Sequence, residues 1–463
     1  MQRAWRSIAC RANVAGMSQI APDPVKELFA FLRFASISTD ADYAKPTHAC
    51  AEWIKGKLAA AGLKAELYET PGHPVVMARN QHQAGRRTVM IYGHYDVQPV
   101  DPVELWTSPP FEPVEKDGIV YARGSTDNKG QILAHMLGVA ETIREEGDVP
   151  VNLIFLIEGE EEIGSVNLEA FLVKHRDELK CDIVAISDTG MVAPGMPTFS
   201  YGLRGVASME VKLKGPTMDL HSGIYGGAVA NPATAIARLV ATLHDANGHI
   251  QVEKFYDDVE APQDWEREAW KDLPMSDEEL KKLTGVKTLF GENGFSSIER
   301  TTARPTAEVN GIGGGYQGPG SKTVLPSKAF AKLTFRLVPK QNPALILDLV
   351  EAHLRKHCPP GVELEIARGH SGDWYLVDPH SIYGDAAQRA LEETFGSKPA
   401  LIREGGSIPI VQTFKKVLGV ETLLLGLALP DCRAHSPNEN FPVANLLAGI
   451  KMNRALLREL AKA

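Results

Sequence analysis

Four apolar runs in this chain each end in residues that can hold a cation or carry a proton. TVMIYG (88–93) leads into His94, Tyr95 and Asp96, and VNLIFLI (151–157) leads into Glu158, Glu160, Glu161 and Glu162. DIVAIS (182–187) is followed at once by Asp188, and ETLLLGLAL (421–429) is followed closely by His435. Between the first two runs, ARGSTDNKG (122–130) sets Asp127 in a glycine-flanked turn ahead of a helix. Imidazole and carboxylate together suit zinc, cobalt or manganese. A structural thiolate site is excluded, because the five cysteines form no CxxC pair. Two histidines and several carboxylates exceed the three protein ligands of one catalytic zinc. A second divalent ion absorbs the surplus, and a carboxylate shared by the two ions lowers their repulsion. Such pairs sit roughly 3.5–4 Å apart and clamp a tetrahedral transition state. Asp96, two residues past His94, is expected to fix the tautomer of that imidazole. Glu161 and Glu162 are neighbours on a turn, so one can bind metal while the other serves as general base. Acidic runs are usually solvated loops, but four acids within 158–162, directly after seven apolar residues, call for neutralising cations.

The elements that must position these residues read as alternating strands and helices. Val25, Leu28, Phe29 and Leu32 recur at helical spacing from Pro24, with Asp23 placed to cap, and a second helix is expected around Thr47 to Ala61. Strand-like runs AELYE, PVVMA and TVMIYG follow, then VNLIFLI, a helix from Val166, and DIVAIS. The chain closes on an amphipathic helix with Leu446, Ile450 and Leu457 on one side. Continuous apolar strands alternating with helices predict an α/β domain built on a largely parallel sheet buried on both faces. The carboxyl ends of such strands form a ligand crevice, so the four bursts can converge. The middle of the chain differs: ASMEVKL and AFAKLTFRLV alternate, helices are expected from Asn231 and over Pro343 to His357, and VELEIAR follows. Strand–helix–strand–strand–helix–strand is the ferredoxin-like α+β order. The expected division is a catalytic domain over 17–202 and 377–463, interrupted by an inserted domain over 203–376. The acidic stretch 256–282 reads as a solvated helical excursion.

Size and composition agree with this division. A chain of 463 residues exceeds one core and fits two domains. The formal net charge of −9 argues against a nucleic-acid partner, and no apolar run reaches the roughly 18 residues of a membrane span. Scattered cysteines (Cys10, Cys50, Cys181, Cys358, Cys432) read as reduced thiols of a cytoplasmic protein. Cys432, near His435, is expected to be a small semi-buried side chain and not a ligand. Residues 1–16 contain Arg3, Arg6 and Arg11 and no acid, a composition that suits a transit peptide; Met17 offers an alternative start, and an over-extended start is the expectation.

GHYDVQP, ARGSTDNKG, EGEEEIGS, DLHSGIYGG, REGGSIPI and AHSPNEN resemble, in order, motifs of the metallopeptidase family of carnosinase, cytosolic non-specific dipeptidase, carboxypeptidase G and the aminoacylases. The resemblance runs from about residue 20 to the end and is nearest to the dipeptidase and carnosinase branch. It implies that His94, a bridging Asp127 and Asp188 hold one divalent metal, and that Asp127, Glu162 and His435 hold the other. Zinc is the expected ion, with manganese or cobalt admissible. Glu161 would be the general base and Asp96 the residue that orients His94. Asn128 stands where the family commonly has a second aspartate, which is not a ligand there. The inserted domain would be a lid and dimerisation domain, with His221 crossing a homodimer interface to support the substrate carbonyl, and Thr323, Arg336 and Ser407 would touch substrate. Read alone, Arg336 could be a surface ion pair and Ser407 a helix cap. The implied activity is amide hydrolysis in dipeptides or other short peptides; the alternative is an N-acyl or N-carbamoyl amino-acid amidohydrolase. A non-catalytic binding member would have lost a ligand or the base, and none is missing. Gly313, Gly315 and Gly318 satisfy GxGxxG without the required strand and helix, so a substrate-facing loop is expected there. His73, His82, His135 and His175 are expected to be structural or solvent-facing.

Overall fold

In a computed structural model that describes residues 23–406 and 408–463, the first helix covers Pro24–Leu32. The Asp23 carboxylate accepts from the backbone N–H of Val25 at 3.0 Å, as a cap should, and Leu28, Phe31 and Leu32 are buried. Residues 1–16, and with them the expected over-extended start, lie outside the described residues.

A nine-stranded sheet carries the larger core. Its centre is four neighbouring parallel strands, in the spatial order Asn152–Glu158, Thr88–His94, Ile183–Ile186 and Thr422–Gly426. These are the four apolar runs that end in ligand-type residues. Almost every residue in them is buried, which explains why they read as continuous apolar stretches instead of alternating ones. Antiparallel pairs finish the sheet on both sides: Val75–Arg79 and Lys64–Tyr68 beyond the first strand, Thr198–Leu203 beyond the last. Helices Lys129–Glu146, Ile382–Phe395 and Val443–Leu460 pack against one another along the sheet.

The second core belongs to a four-stranded antiparallel sheet with the spatial order Thr306–Gly314, Lys328–Leu337, Gly205–Lys214, Glu363–Gly372. Helices Pro232–Ala241 and Pro343–His357 pack on it, and both open with proline behind a capping asparagine, Asn231 and Asn342. In chain order this is strand–helix–strand–strand–helix–strand, the ferredoxin-like arrangement. Along Lys328–Leu337 the odd-numbered residues Ala329 to Leu337 are buried and their neighbours are not, so one face meets the helices. The GxGxxG glycines begin inside this sheet. Gly313 sits on the Thr306–Gly314 edge strand, where a Cβ would fall 2.5 Å from the Phe330 ring.

The acidic stretch corrects an expectation. Helix Asp264–Lys271 is docked and not solvated: Glu266 and Trp270 are buried, and Glu266 accepts from the Tyr201 hydroxyl and the Arg403 guanidinium, both at 2.7 Å. Trp270 joins the larger core. Only the next helix, Asp277–Thr284, matches the solvated reading, with no buried residue.

Candidate metal centre

The carboxyl ends of the four parallel strands meet above the sheet, and the ligand-type side chains meet with them. His94 Nε2 lies 3.2 Å from Asp127 Oδ1 and 3.7 Å from Asp188 Oδ2. On the other side of Asp127, Oδ2 is 2.9 Å from His435 Nε2, which is itself 3.4 Å from Glu162 Oε2. Two groups result, His94–Asp127–Asp188 and Asp127–Glu162–His435, each with its ligand atoms within 4.8 Å of one another. Asp127 belongs to both, turning one oxygen to each.

The acidic turn after Asn152–Glu158 divides by role. Glu158 is buried and accepts from the hydroxyls of Tyr92 (2.6 Å) and Ser165 (2.7 Å); burial pushes its carboxyl up to about 7. Glu160 is tied to the amide of Asn167 and the backbone of His73. A Cβ at Gly159 would fall 2.4 Å from the Tyr95 side chain, so only glycine fits between them. Glu161 and Glu162 then remain for the centre. Asp96 holds both in place: its carboxylate accepts from the backbone N–H of Glu161 at 3.2 Å and of Glu162 at 3.1 Å, and it also lies 3.3 Å from His94 Nδ1. Gln98 donates to Glu162 at 2.7 Å.

Two residues have positioning roles that the sequence reading did not give them. Glu439 is fully buried and accepts from the backbone N–H groups of Gly124, Thr126 and Asp127 and from the Arg123 guanidinium at 2.7 Å. It shapes the loop that presents Asp127. The motif AHSPNEN contains it, but nothing in that spacing separates a loop acid from an anchor. Asn128 donates to Asp188 Oδ1 at 2.9 Å and to the Ser187 carbonyl at 2.6 Å, and accepts from the His94 backbone N–H. An aspartate there would set a like charge against Asp188; the amide supplies a donor instead.

Electrostatically the cluster asks for cations. Burial opposes ionisation of Asp127, but His435 and His94 outweigh it and hold its carboxyl well below the usual range. Burial raises Glu161 far above that range, with His94 opposing and Asp188, Glu162 and Asp127 adding to the rise. Burial and the Asp127 carboxylate push Glu162 up to about 9. Burial works against a charged His94, yet Asp127, Asp188 and Asp96 raise it well above the ordinary imidazole value. The His94 Nε2 atom is buried without a hydrogen-bond partner among the described residues. A nitrogen so placed, among oxygens at 3.2 and 3.7 Å, fits a metal ligand better than a donor. The residues therefore fit divalent cations, whose charge would keep the carboxylates ionised.

The remaining candidates lie elsewhere. His221 is exposed, and its Nδ1 accepts from the Gly223 backbone at 3.0 Å. It pairs with Val324 in a short ribbon where the Thr323 carbonyl accepts from Ser222, so His221 and Thr323 are neighbours. Arg336 is half-buried on Lys328–Leu337, and Ser407 lies outside the described residues. A cavity of about 580 Å³ opens on Asp127 and Asp188; His221, Thr323 and Arg336 are not on its wall. Cys432 is on that wall, nearly buried, and belongs to neither ligand group. His82 and His135 bond to a carbonyl and a hydroxyl, and His175 to the surface residue Glu178.

The carboxyl ends of the four parallel strands thus carry ligands for a pair of metal ions. The family model of Peptidase family M20/M25/M40 matches residues 90–459, and the chain belongs to that family. It is 36% identical to the Cys-Gly metallodipeptidase DUG1 of Candida albicans over 84% of this chain and 82% of that one. To the Beta-Ala-His dipeptidase of Homo sapiens it is 32% identical, over 85% and 78%. The solved structure of an M20 family metallo-carboxypeptidase, Sso-CP2 of Sulfolobus solfataricus, superposes with a TM-score of 0.85 at 34% identity, covering 96% of this chain and all of that one.

Proposed function

We propose that this chain hydrolyses the amide bond of dipeptides and other short peptides, using two divalent metal ions per subunit, zinc first among them and manganese or cobalt as substitutes. The observation that carries the reading is the pair of three-residue groups that share Asp127. Bound there, the ions would supply Lewis acidity toward the scissile carbonyl and a lowered pKa for the attacking water. His94, Asp127 and Asp188 would hold one, and Asp127, Glu162 and His435 the other. Glu161 accepts the proton of the attacking water and delivers it to the leaving amine. Asp96 fixes both the His94 ring and the turn that aims Glu161. The Arg336 fork suits a substrate carboxylate, alongside contacts from Thr323 and Ser407.

His221 supports the developing oxyanion, donated by a second copy of the chain. Its exposure, and its place on a ribbon away from the cavity wall, favour action on a neighbour's site. In this reading residues 203–376 form a lid and dimerisation unit, and the protein is a cytoplasmic homodimer. The free state of Cys50, Cys181, Cys358 and Cys432 supports a reducing compartment. No helix among the described residues is long and apolar enough to cross a membrane. The N-acyl or N-carbamoyl amidohydrolase reading has less support, because the curated relatives named above are dipeptidases. A panel of dipeptides against N-acetyl and N-carbamoyl amino acids, run on the zinc-loaded protein, decides between them. Faster cleavage of dipeptides by tenfold or more is expected; preference for the acylated amino acids would reverse the assignment.

A further inference from the structure

The cavity that opens on Asp127 and Asp188 has two walls of different origin. One is set by the main sheet: Leu203 and Ile402 are buried on the paired strands Thr198–Leu203 and Ala400–Glu404, and Leu429 follows Thr422–Gly426. The other is the acidic excursion with the end of its second helix, which contribute Met275, Leu280 and Leu283. Helix Asp277–Thr284 is held by local signals. Ser276 and Glu279 form a capping box, and Gly285 takes the left-handed conformation at its end. It lends no residue to either core, and Leu283 is 63% exposed. One exposed leucine needs no explanation. Here three apolar side chains from a locally stabilised segment face a buried apolar wall across a space that ends at two of the proposed metal ligands.

We infer that this cavity is a specificity pocket for one bulky apolar side chain of the peptide, and that the Pro274–Leu283 segment is the wall that selects it. The inference rests on the peptidase reading above. A volume of about 580 Å³ lies within the range of small-molecule sites, so it has room for a bulky side chain, whereas a dipeptide of glycine or alanine covers little of its apolar wall. Leucine or phenylalanine removes apolar surface from water on both the ligand and the three excursion residues. Asp127 and Asp188 on the cavity wall set the pocket next to the scissile bond. The excursion is thereby a selecting element.

The test uses the full chain, zinc-loaded, with two series: Ala-Gly, Leu-Gly, Phe-Gly and Gly-Ala, Gly-Leu, Gly-Phe. In one series kcat/KM should rise about 10- to 100-fold from alanine to the larger residue, the scale of discrimination by an apolar pocket. In Leu283→Asp that ratio should fall about tenfold or more. Phe290→Asp, at an exposed residue that follows helix Asp277–Thr284 and does not line the cavity, should leave the ratio unchanged. The same contrast should appear without turnover, as Kd measured by calorimetry in Glu161→Gln protein. Hydrolysis that is equal across both series, or a preference that survives Leu283→Asp and Leu280→Asp intact, overturns the pocket assignment alone. Failure to cleave any dipeptide in either series overturns the peptidase reading and this inference with it.

Discussion

Glu161 and Glu162 are adjacent, and both have carboxyls raised by burial, yet only Glu162 stands in a ligand group. Glu162 has an oxygen 3.4 Å from His435 and a donor in Gln98; Glu161 is in neither ligand group. Glu161→Gln should therefore lose about 10²–10⁴-fold or more in turnover while still binding two metals per chain. Glu162→Gln should bind one metal more weakly. Metal analysis after dialysis, set beside turnover, checks both; a Glu161→Gln protein that loses metal and keeps turnover exchanges the two roles. Glu439 extends the prediction to a residue that belongs to neither ligand group. Its carboxylate and the Arg123 guanidinium are both buried at 2.7 Å, so removing one leaves the other charged and unpaired. Glu439→Ala should destabilise the protein by about 3–5 kcal/mol, read by urea denaturation. A change below ~1 kcal/mol would mean that the loop keeps its shape without this anchor.

Among the elements, helix Lys129–Glu146 ties the site to the sheet through His135, whose ring lies between the Ser187 hydroxyl and the Asn453 amide at 2.8 Å each. Burial pulls the His135 pKa down to about 4, against about 6.5 in an unfolded chain. The folded state thus keeps this ring neutral where the unfolded state has already bound a proton. Its contribution to stability is present above pH ~6.5 and is lost as pH falls toward ~4, by about 3 kcal/mol. His135→Gln should flatten this part of the stability–pH curve relative to wild type; parallel curves would remove His135 as the titrating group. The sequence made some elements readable and hid others for physical reasons. The four central strands were visible because burial on both faces makes a strand apolar throughout, and the ligands were visible because they follow those strands directly. The Thr306–Gly314 strand was not visible: TAEVNGIGG is an edge strand, rich in glycine and with only Ala307 buried, with a register shift between Val309 and Gly311. Helix Asp264–Lys271 was misread as solvated because its acids dominate the composition, whereas the contacts that dock Glu266 and Trp270 lie 65 to 137 residues away in sequence and leave no local trace. Glu439 was hidden for the same reason, its donors lying more than 300 residues earlier.

On the scale of the whole molecule, the account requires two chains. His221 lies on the inserted sheet's side ribbon, exposed and off the cavity wall, so a two-fold dimer would complete each site with the neighbour's imidazole. Mixing His221→Ala with Glu161→Gln, each inactive alone, should restore about a quarter of wild-type activity after subunit exchange, since roughly half the dimers are hybrids with one sound site. A mixture that stays inactive although exchange is demonstrated would confine His221 to its own chain or remove it from the reaction. The central claim, that two metal ions held by ligand groups sharing Asp127 drive peptide hydrolysis, is tested most directly by titrating metal-free protein with zinc while following Leu-Gly cleavage. The account predicts no cleavage in the metal-free protein and full activity at two zinc ions per chain, with Asp127→Asn abolishing both tight binding and turnover. Undiminished cleavage in protein verified to be metal-free, or full activity with Asp127→Asn, would contradict it.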